Sequence, residues 1–405
     1  MDRFMNLTMV FFRLAAVLVF AAMLQNPTRL SAAEQPLGGS APSPRALEAS
    51  AYDSNRSRMI MIGGASSERI ENDVWALDLS SGSARWQKLE PAGSLPRPRI
   101  WSHAIYDSAN NRVISYGGAI ASNFAVNDTW SLDLTTEDGE WTQIRPPTAG
   151  PARYGATVVY DSANQRMIVF GGGQGGALYG DVWSFGLVPG SEDWTRMRPS
   201  GSPTPGQRQV TAAYDPENNR MVFYSGFGGE RGFFNIDTWS LDLSTDDGAW
   251  IRIQPSGLSP IWRVWHSTTY DTVNKRMIIY GGIAFISLPE KPDAFNLSVE
   301  QPAWVQLAPT GDTQPGPRVL FTLVFDSAGQ RMIMYGGGQD GQGPTGDIWA
   351  MEGPPRSETW RQLVPGASAI VGNYGPMAYS LSEDALWVSA GGISLEMSLD
   401  NPNAK

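Results

Sequence analysis

The chain has 405 residues with 44 glycines, 29 prolines, 15 tryptophans and no cysteine, and its formal net charge is −10. The missing thiols exclude disulfides, thiolate metal ligands, a cysteine nucleophile and a lipidated N-terminal cysteine. Net negative charge without any lysine- or arginine-rich run excludes a nucleic-acid partner, because phosphate binding needs clustered cations.

Residues 1–33 come first and have the pattern of an export signal. Arg3 and Arg13 supply positive charge, Leu14 to Leu24 form an apolar core, and Ser31-Ala32-Ala33 offer small residues for cleavage. A permanent membrane helix needs about 20 apolar residues, and Arg13 interrupts the longer run that starts at Phe4. The expectation is a cleaved signal peptide and a secreted or periplasmic mature chain, with an uncleaved anchor as the alternative. No later segment is apolar enough to cross a membrane.

From Arg45 onward one unit repeats. Its Tyr-Asp pair stands at Tyr52-Asp53, Tyr106-Asp107, Tyr160-Asp161, Tyr214-Asp215, Tyr270-Asp271 and Phe325-Asp326, with steps of 54, 54, 54, 56 and 55 between the aspartates. A di-glycine follows in step, for example at Gly171-Gly172, and weakens to Ser225-Gly226 in the fourth copy. Each unit contains four strand-like pieces. The first half-alternates (Ala156 to Asp161), and a turn of Ser, Ala, Asn and Gln follows. The second is the continuous apolar run Met167 to Phe170, the pattern of a strand buried on both faces. The third starts at an aspartate with an aromatic two residues on (Asp73/Trp75, Asp128/Trp130, Asp181/Trp183, Asp237/Trp239, Asp293/Phe295, Asp347/Trp349). The fourth starts near a second tryptophan: Trp86, Trp141, Trp194, Trp250, Trp304 and Trp360. Gly391-Gly392, Tyr379 and Trp387 mark a seventh register, which lacks the arginine and the second tryptophan. Four short strands at a fixed period near fifty residues make one propeller blade.

These residues resemble the kelch repeat: an arginine opening the first strand, a di-glycine closing the second, an aromatic in the third and a tryptophan opening the fourth. The resemblance covers nearly the whole chain after residue 33 and is of the exported, bacterial type. It implies an all-β fold, a seven-bladed kelch-type β-propeller with four antiparallel strands per blade. It is similar to the propeller of galactose-oxidase-type enzymes but lacks the copper site, which needs a cysteine cross-linked to tyrosine. Residues 34–405 are expected to form this single domain, with residues around 34 to 40 supplying the outer strand of the last blade.

Antiparallel geometry puts the start of each first strand and the loop after each di-glycine on one face. In kelch propellers, which the chain resembles, the first strand is innermost, and this resemblance implies that Arg45, Arg99, Arg153, Arg208, Arg263 and Arg318 surround the mouth of a central channel. Two readings stand side by side: each arginine ties its blade together, or part of the ring holds an anionic or sugar-like ligand. Trp101 and Trp265, two residues after their arginines, are candidate stacking platforms or channel packing. The loops after the glycines add Phe124, Tyr179, Phe233, Phe234 and Phe285 as candidate contacts.

Catalytic constellations are sparse. The two histidines, His103 and His266, lie four and three residues after their arginines, offsets that suggest opposite faces of their strands and no shared metal site. Glu230 and Glu290 are the non-repeated acids expected nearest the mouth. No catalytic residue, metal or cofactor is assigned. The expectation is a non-enzymatic, monomeric propeller binding a protein or polysaccharide partner. The alternative is a carbohydrate-active enzyme of the mutarotase or lyase type, using mouth carboxylates and arginines.

Overall fold

The computed structural model describes residues 41–366, apart from 83, 122–123, 176, 202–206, 209, 229–232, 258, 285–288, 298–301 and 340–342, together with the strands Ala378–Ser380, Ala385–Ala390 and Ile393–Ser398. The region of the expected signal and the expected closing strand at 34 to 40 lie outside the described residues.

Each repeat folds outward from its first turn. In the third copy the strand Tyr154–Asp161 returns as Arg166–Gln174, with Asp161 opposite Arg166. Asp161 Oδ1 accepts the Asn164 backbone N–H at 3.2 Å, and its Oδ2 accepts Arg166 Nε at 2.8 Å. One carboxylate thus shapes the turn and fixes the register, and an aspartate at this point satisfies turn N–H groups that water would otherwise have to reach. The same pair recurs as Asp53–Arg58, Asp107–Arg112, Asp215–Arg220, Asp271–Arg276 and Asp326–Arg331, all at 2.8–2.9 Å. The aspartates are at most 2% exposed. Sequence reasoning assigned them to turns and missed their arginine partners five residues on.

Six blades follow, at 49–89, 103–144, 154–197, 212–253, 267–306 and 322–364, each with four antiparallel strands in sequence order. Their first strands, Ala49–Asp53, His103–Asp107, Tyr154–Asp161, Ala212–Asp215, Ser267–Asp271 and Thr322–Asp326, stand side by side around the axis. The core lies between blades. Ile60, Ile62, Val74 and Leu89 of blade 1 pack on Val113, Trp130 and Trp141 of blade 2. The apolar second strands are therefore covered on both faces, as their unbroken hydrophobic runs require. The second tryptophan of each unit is the fastener: Trp194, Trp250, Trp304 and Trp360 pack on Tyr116, Phe170, Tyr224 and Tyr280 of the preceding blade, at ring centroid separations of 4.5–5.5 Å.

The expected seven-bladed ring is corrected to six. Blade 6 docks directly on blade 1 through the kinds of contact used at the other seams. Trp86 packs on Tyr335 with ring centroids 5.0 Å apart. The Tyr52 hydroxyl donates to Asp326 Oδ1 at 2.6 Å, Arg331 Nη2 donates to Leu79 O at 3.0 Å, and Gly337 N donates to Arg45 O at 3.1 Å. The seventh register does form strands, Ala378–Ser380, Ala385–Ala390 and Ile393–Ser398, in a three-stranded antiparallel sheet of their own. It lacks the arginine that ties the second strand to the third within a blade and the second tryptophan that packs on the neighbouring blade. Without that tryptophan the copy has no fastener of the kind that joins the six blades. Blade 6 carries its own fourth strand, Thr359–Val364, paired with Ile348–Glu352. A chain ending at residue 366 is expected to unfold with unchanged cooperativity, its thermal midpoint within about 3 °C of the full chain, the scale of roughly 1 kcal/mol in a domain of this size. Circular dichroism melts check this, and loss of the cooperative transition would return the seventh copy to the ring.

Candidate functional site

The arginines expected at the mouth are buried within their own blades. Arg45, Arg99, Arg153, Arg263 and Arg318 are at most 2% exposed. Arg99 donates from Nη1 and Nη2 to the two oxygens of Asp128 at 2.6 and 2.7 Å, and Nη1 also reaches Gly117 O at 3.1 Å. Arg45–Asp73, Arg153–Asp181 and Arg318–Asp347 repeat this fork. Each guanidinium thus joins the glycine end of the second strand to the aspartate that opens the third. The Trp75, Trp130, Trp183 and Trp349 indoles donate to the same four carboxylates at 2.6–2.7 Å. Burial alone would raise these carboxyls, but the arginine and indole together hold Asp73, Asp128, Asp181 and Asp347 below the usual range. Blade 5 departs from the pattern. Phe295 replaces the indole, Arg263 reaches Asp293 through Nη2 alone at 2.7 Å, and burial leaves the Asp293 carboxyl raised. Most of their donors go to aspartates and backbone carbonyls, although Arg153 Nε is buried without a partner in hydrogen-bonding geometry and Arg263 also lines a cavity. Arg208 lies on the short strand Gln207–Arg208.

The di-glycines bring the next blade against this end. Gly118 has φ 95°, and a Cβ there would meet Ile100 O at 2.8 Å. Its N–H donates to Arg153 O at 3.0 Å across the seam. In blade 4, Ser225 takes the first glycine's place at φ 61°, and its hydroxyl bonds the Arg263 N–H and C=O at 3.1 and 3.0 Å. The weakened copy is stapled by a side chain instead.

A cavity of about 250 Å³ opens at this end of the channel, lined by residues 47–50, 101–104, 155–158, 210–212, 265–268 and 320–321. Every one of the six blades contributes. The residue two after each of four arginines kinks the chain into the left-handed region: Leu47 (φ 66°), Trp101 (51°), Trp265 (60°) and Leu320 (57°). Such non-glycine positions cost of order 1–3 kcal/mol each and persist where the surroundings over-determine them. Here a collar of peptide bonds does so, with Trp101 N donating to Leu47 O, Leu47 N to Leu320 O, and Leu320 N to Trp265 O at 3.1, 3.4 and 3.1 Å. Trp101 and Trp265 are thereby brought to one cavity, as their shared offset predicts. Trp101 stacks on Tyr154 at 5.5 Å, and Trp265 is 4% exposed.

The cavity's polar groups were largely missed. His103 and His266 share its wall, although their different offsets suggest opposite faces. Burial and the Arg153 charge push His103 down to about 4, and burial and the Arg263 charge push His266 down to about 3. Both imidazoles are neutral at pH 7. Glu48, three residues after Arg45, joins them. Its Oε1 accepts the Thr322 hydroxyl at 2.8 Å, while burial raises its carboxyl to about 7. Glu48 Oε2, Ser102 Oγ, His103 Nε2 and both ring nitrogens of His266 are buried without a partner in hydrogen-bonding geometry. The sequence signal was available. Positions three after the arginine read Glu48, Ser102, Ala156, Thr211, His266 and Phe321, different in every blade.

Phe124 is 59% exposed, on the strand Phe124–Ala125 that pairs with Ala119–Ala121. Tyr179 is half-buried, with the Arg153 guanidinium 5.0 Å over its ring. Phe233 and Phe234 begin the strand Phe233–Asp242, opposite Gly228 and Phe227. Phe285 and Glu230 lie outside the described residues, and Glu290 lines a separate cavity of about 290 Å³ beside Arg263 and Asp293. Among the described residues no group of His, Asp and Glu could hold a metal ion, and no helix is long and apolar enough to cross a membrane.

Residues 21–188 and 81–282 match the family model described as the KLHDC2/KLHL20/DRC7 Kelch-repeats domain. The chain belongs to the kelch-repeat family. Among curated kelch relatives, Adagio-like protein 3 of Oryza sativa subsp. japonica is 30% identical over 306 residues, covering 74% of this chain and 46% of that protein. Adagio protein 3 of Arabidopsis thaliana is 28% identical over 290 residues, covering 69% and 45%. The chain thus spans less than half the length of these kelch proteins. Among solved structures, that of YjhT superposes with a TM-score of 0.60 at 15% identity, covering 79% of this chain and 98% of that one. At that identity the likeness is one of fold.

Glu48 gives the kelch cavity a testable pH signature. A carboxyl raised from 4.5 to about 7 on folding makes the native state bind more protons than the unfolded one between those values, so its contribution to stability falls as pH rises from about 4.5 to about 7. Glu48→Gln is therefore expected to raise the thermal midpoint at pH 8 and to change it little at pH 4.5. Equal shifts at both pH values, by calorimetry, would show that the carboxyl does not titrate there.

Proposed function

We propose that the chain is a binding module that meets a protein or carbohydrate partner on the face bearing the channel mouth and the loops after the glycines. One observation carries the reading. The residues that build the blades repeat, whereas the cavity-wall position three after each arginine differs in every blade, and the wall leaves buried polar atoms unpartnered. Repetition maintains seams, and a ligand of definite shape needs a wall that is not repeated. Phe124, together with Leu95 and Ile261 at 49% and 55% exposed in the connections leading to Arg99 and Arg263, gives the rim apolar surface for a partner larger than the cavity. In this proposal residues 1–33 direct the module out of the cytoplasm, and N-terminal sequencing of released chain, expected to start after Ala33, checks it.

The Glu48 carboxyl near neutrality also suits proton transfer, which favours a carbohydrate-active enzyme as the second reading. A panel of soluble glycans and sugar acids, read by thermal shift and by NMR for turnover, separates the two. Binding without turnover is expected. Trp101→Ala with Phe124→Ser is expected to weaken capture of any ligand or partner at least about tenfold, the scale of one lost aromatic anchor. Val273→Ser, in the turn between the first and second strands at the opposite face, is expected to leave capture unchanged. Equal capture by all three proteins would remove this face from the proposal.

A further inference from the structure

The chain that arrives from one blade covers the outer strand of the next. In blades 2, 4, 5 and 6 it bridges, in parallel, to the residue just before the second tryptophan: Ala92 to Glu140, Ser200 to Ala249, Ser256 to Ala303 and Thr310 to Thr359. The bridging residue donates its N–H to the carbonyl two before the tryptophan, that of Gly139, Gly248, Pro302 or Glu358, at 2.9–3.2 Å. Ser200 O and Thr310 O in turn accept the Trp250 and Trp360 backbone N–H at 2.9 and 2.7 Å. These bonds occupy groups on a sheet edge that would otherwise be open to another chain.

All four bridges have the sequence Pro-x-Gly: Pro91-Ala92-Gly93, Pro199-Ser200-Gly201, Pro255-Ser256-Gly257 and Pro309-Thr310-Gly311. The glycines have φ of 82°, 88°, 81° and 143° and turn the chain away after one bridging residue. They also press on the tryptophan carbonyl, since a Cβ at Gly201 or Gly311 would meet Trp250 O or Trp360 O at 2.8 or 2.6 Å. Blade 3 shows what happens without the glycine. Its incoming chain reads Pro147-Thr148-Ala149, and among the described residues nothing bridges to its outer strand Trp194–Met197. The Thr148 N–H goes instead to the Asp193 side chain at 2.8 Å.

Blade 1 has the same edge, and no described residue covers it. Its outer strand Arg85–Leu89 keeps the common register, with Leu77 opposite Trp86 as Leu241 is opposite Trp250. The Trp86 N–H and the Ala84 carbonyl are therefore the donor and acceptor that a bridge uses elsewhere. The chain entering blade 1 is on the usual path. Arg45 Nε donates to Ser43 O at 3.1 Å, as Arg99 Nε does to Arg97 O at 3.0 Å. The Tyr335 hydroxyl of blade 6 reaches Ser43 O at 3.4 Å, as the Tyr280 hydroxyl of blade 5 reaches Pro315 O at 3.1 Å one seam earlier. Upstream lies Pro36-Leu37-Gly38, its proline nine residues before Arg45, the spacing from Pro199 to Arg208 and from Pro309 to Arg318.

We propose that the outer edge of blade 1 is the docking site of this chain's own N-terminal segment, with the Leu37 N–H donated to Ala84 O and the Trp86 N–H to Leu37 O. The segment thereby lies beside the outer strand of the first blade, not in the last. The other candidate occupant, the chain leaving blade 6, reads Pro365-Gly366-Ala367 and has alanine where the bridge needs glycine, as at blade 3. The site is separate from the channel mouth. With the cap seated, a leader cut after Ala33 would be released from the flank of blade 1, and one left uncut would not obstruct the mouth. The cap also keeps two propellers from pairing edge to edge.

The chain has no cysteine, so an introduced pair can cross-link only with itself. In the full chain, Leu37→Cys with Arg85→Cys, the pair equivalent to Ser200 and Ala249, is expected to form an intramolecular disulfide in most molecules under mild oxidation. Neighbouring strands lie about 4.8 Å apart, within the Cα range of a disulfide. Ala367→Cys with Arg85→Cys is expected to leave both thiols free, and mass spectrometry of proteolytic peptides reads both variants. Amide hydrogen exchange by NMR on the unmodified chain gives a second readout. The Trp86 N–H is expected to be protected to within about tenfold of the Trp250 N–H. Leu37→Pro, which removes the bridging donor, is expected to lower Trp86 protection at least about tenfold and to leave Trp250 unchanged. A disulfide from Ala367→Cys in place of Leu37→Cys, a Trp86 N–H that exchanges like a free surface amide, or protection of Trp86 unaltered by Leu37→Pro overturns the proposal. None of these results bears on the channel mouth, which is tested by capture with Trp101→Ala and Phe124→Ser.

Discussion

Among the described residues every blade is pinned by arginine–aspartate pairs in which at least one partner is buried. At one end Arg45, Arg99, Arg153, Arg263 and Arg318 clamp the third strand to the second, and at the other Arg58 and its counterparts clamp the first turn. Buried pairs of this kind add little stability over well-packed apolar residues, but losing one partner strands a charge. Their use here is register. A propeller of short strands offers many one-residue slips, and each slip would turn an apolar face outward. Placing a charge that has one permissible partner at each end of the sheet removes those alternatives.

The channel mouth depends on this pinning. Because the arginine is fixed, the residue two positions later is forced into a left-handed kink at Leu47, Trp101, Trp265 and Leu320, and a collar of peptide bonds holds it there. The side chains that follow are then delivered to the cavity wall whatever their identity. Blade architecture is maintained by repetition within the chain, while the wall is open to change one blade at a time. That separation places Glu48, Ser102 and His266 at equivalent positions of three blades.

Much of this was legible in the sequence. The period, the four strands per blade, the di-glycine ends and the face carrying the arginines all follow from residue spacing, because local turn chemistry and hydrophobic runs determine them. The number of blades did not follow from counting copies. Closure depends on whether a copy can fasten to its neighbours, and the copy around Gly391-Gly392 lacks the second tryptophan that does so at the other seams. The aspartates of the Tyr-Asp pairs looked like ordinary turn residues because the spacing from Asp53 to Arg58, and from each later aspartate to its arginine, carries no periodic hydrophobic signal. Arg58, Arg112 and Arg166 are recognisable as partners only once the hairpin is formed. Glu48 escaped notice for a related reason. Its significance comes from inner strands supplied by distant parts of the chain.

The seam between blades 6 and 1 differs from the other five in one respect: no short connection of chain spans it. Its neighbours are tethered by short linkers, so a separated pair returns at a high effective concentration. Blade 6 and blade 1 are held in register by the remaining ring, acting as a spring whose two ends meet at Trp86 and Tyr335. The circle therefore has a built-in parting line. Thermal breathing wide enough to admit water between blades will concentrate there, and the inner edge of that line is the corner of the cavity where Thr322 meets Glu48.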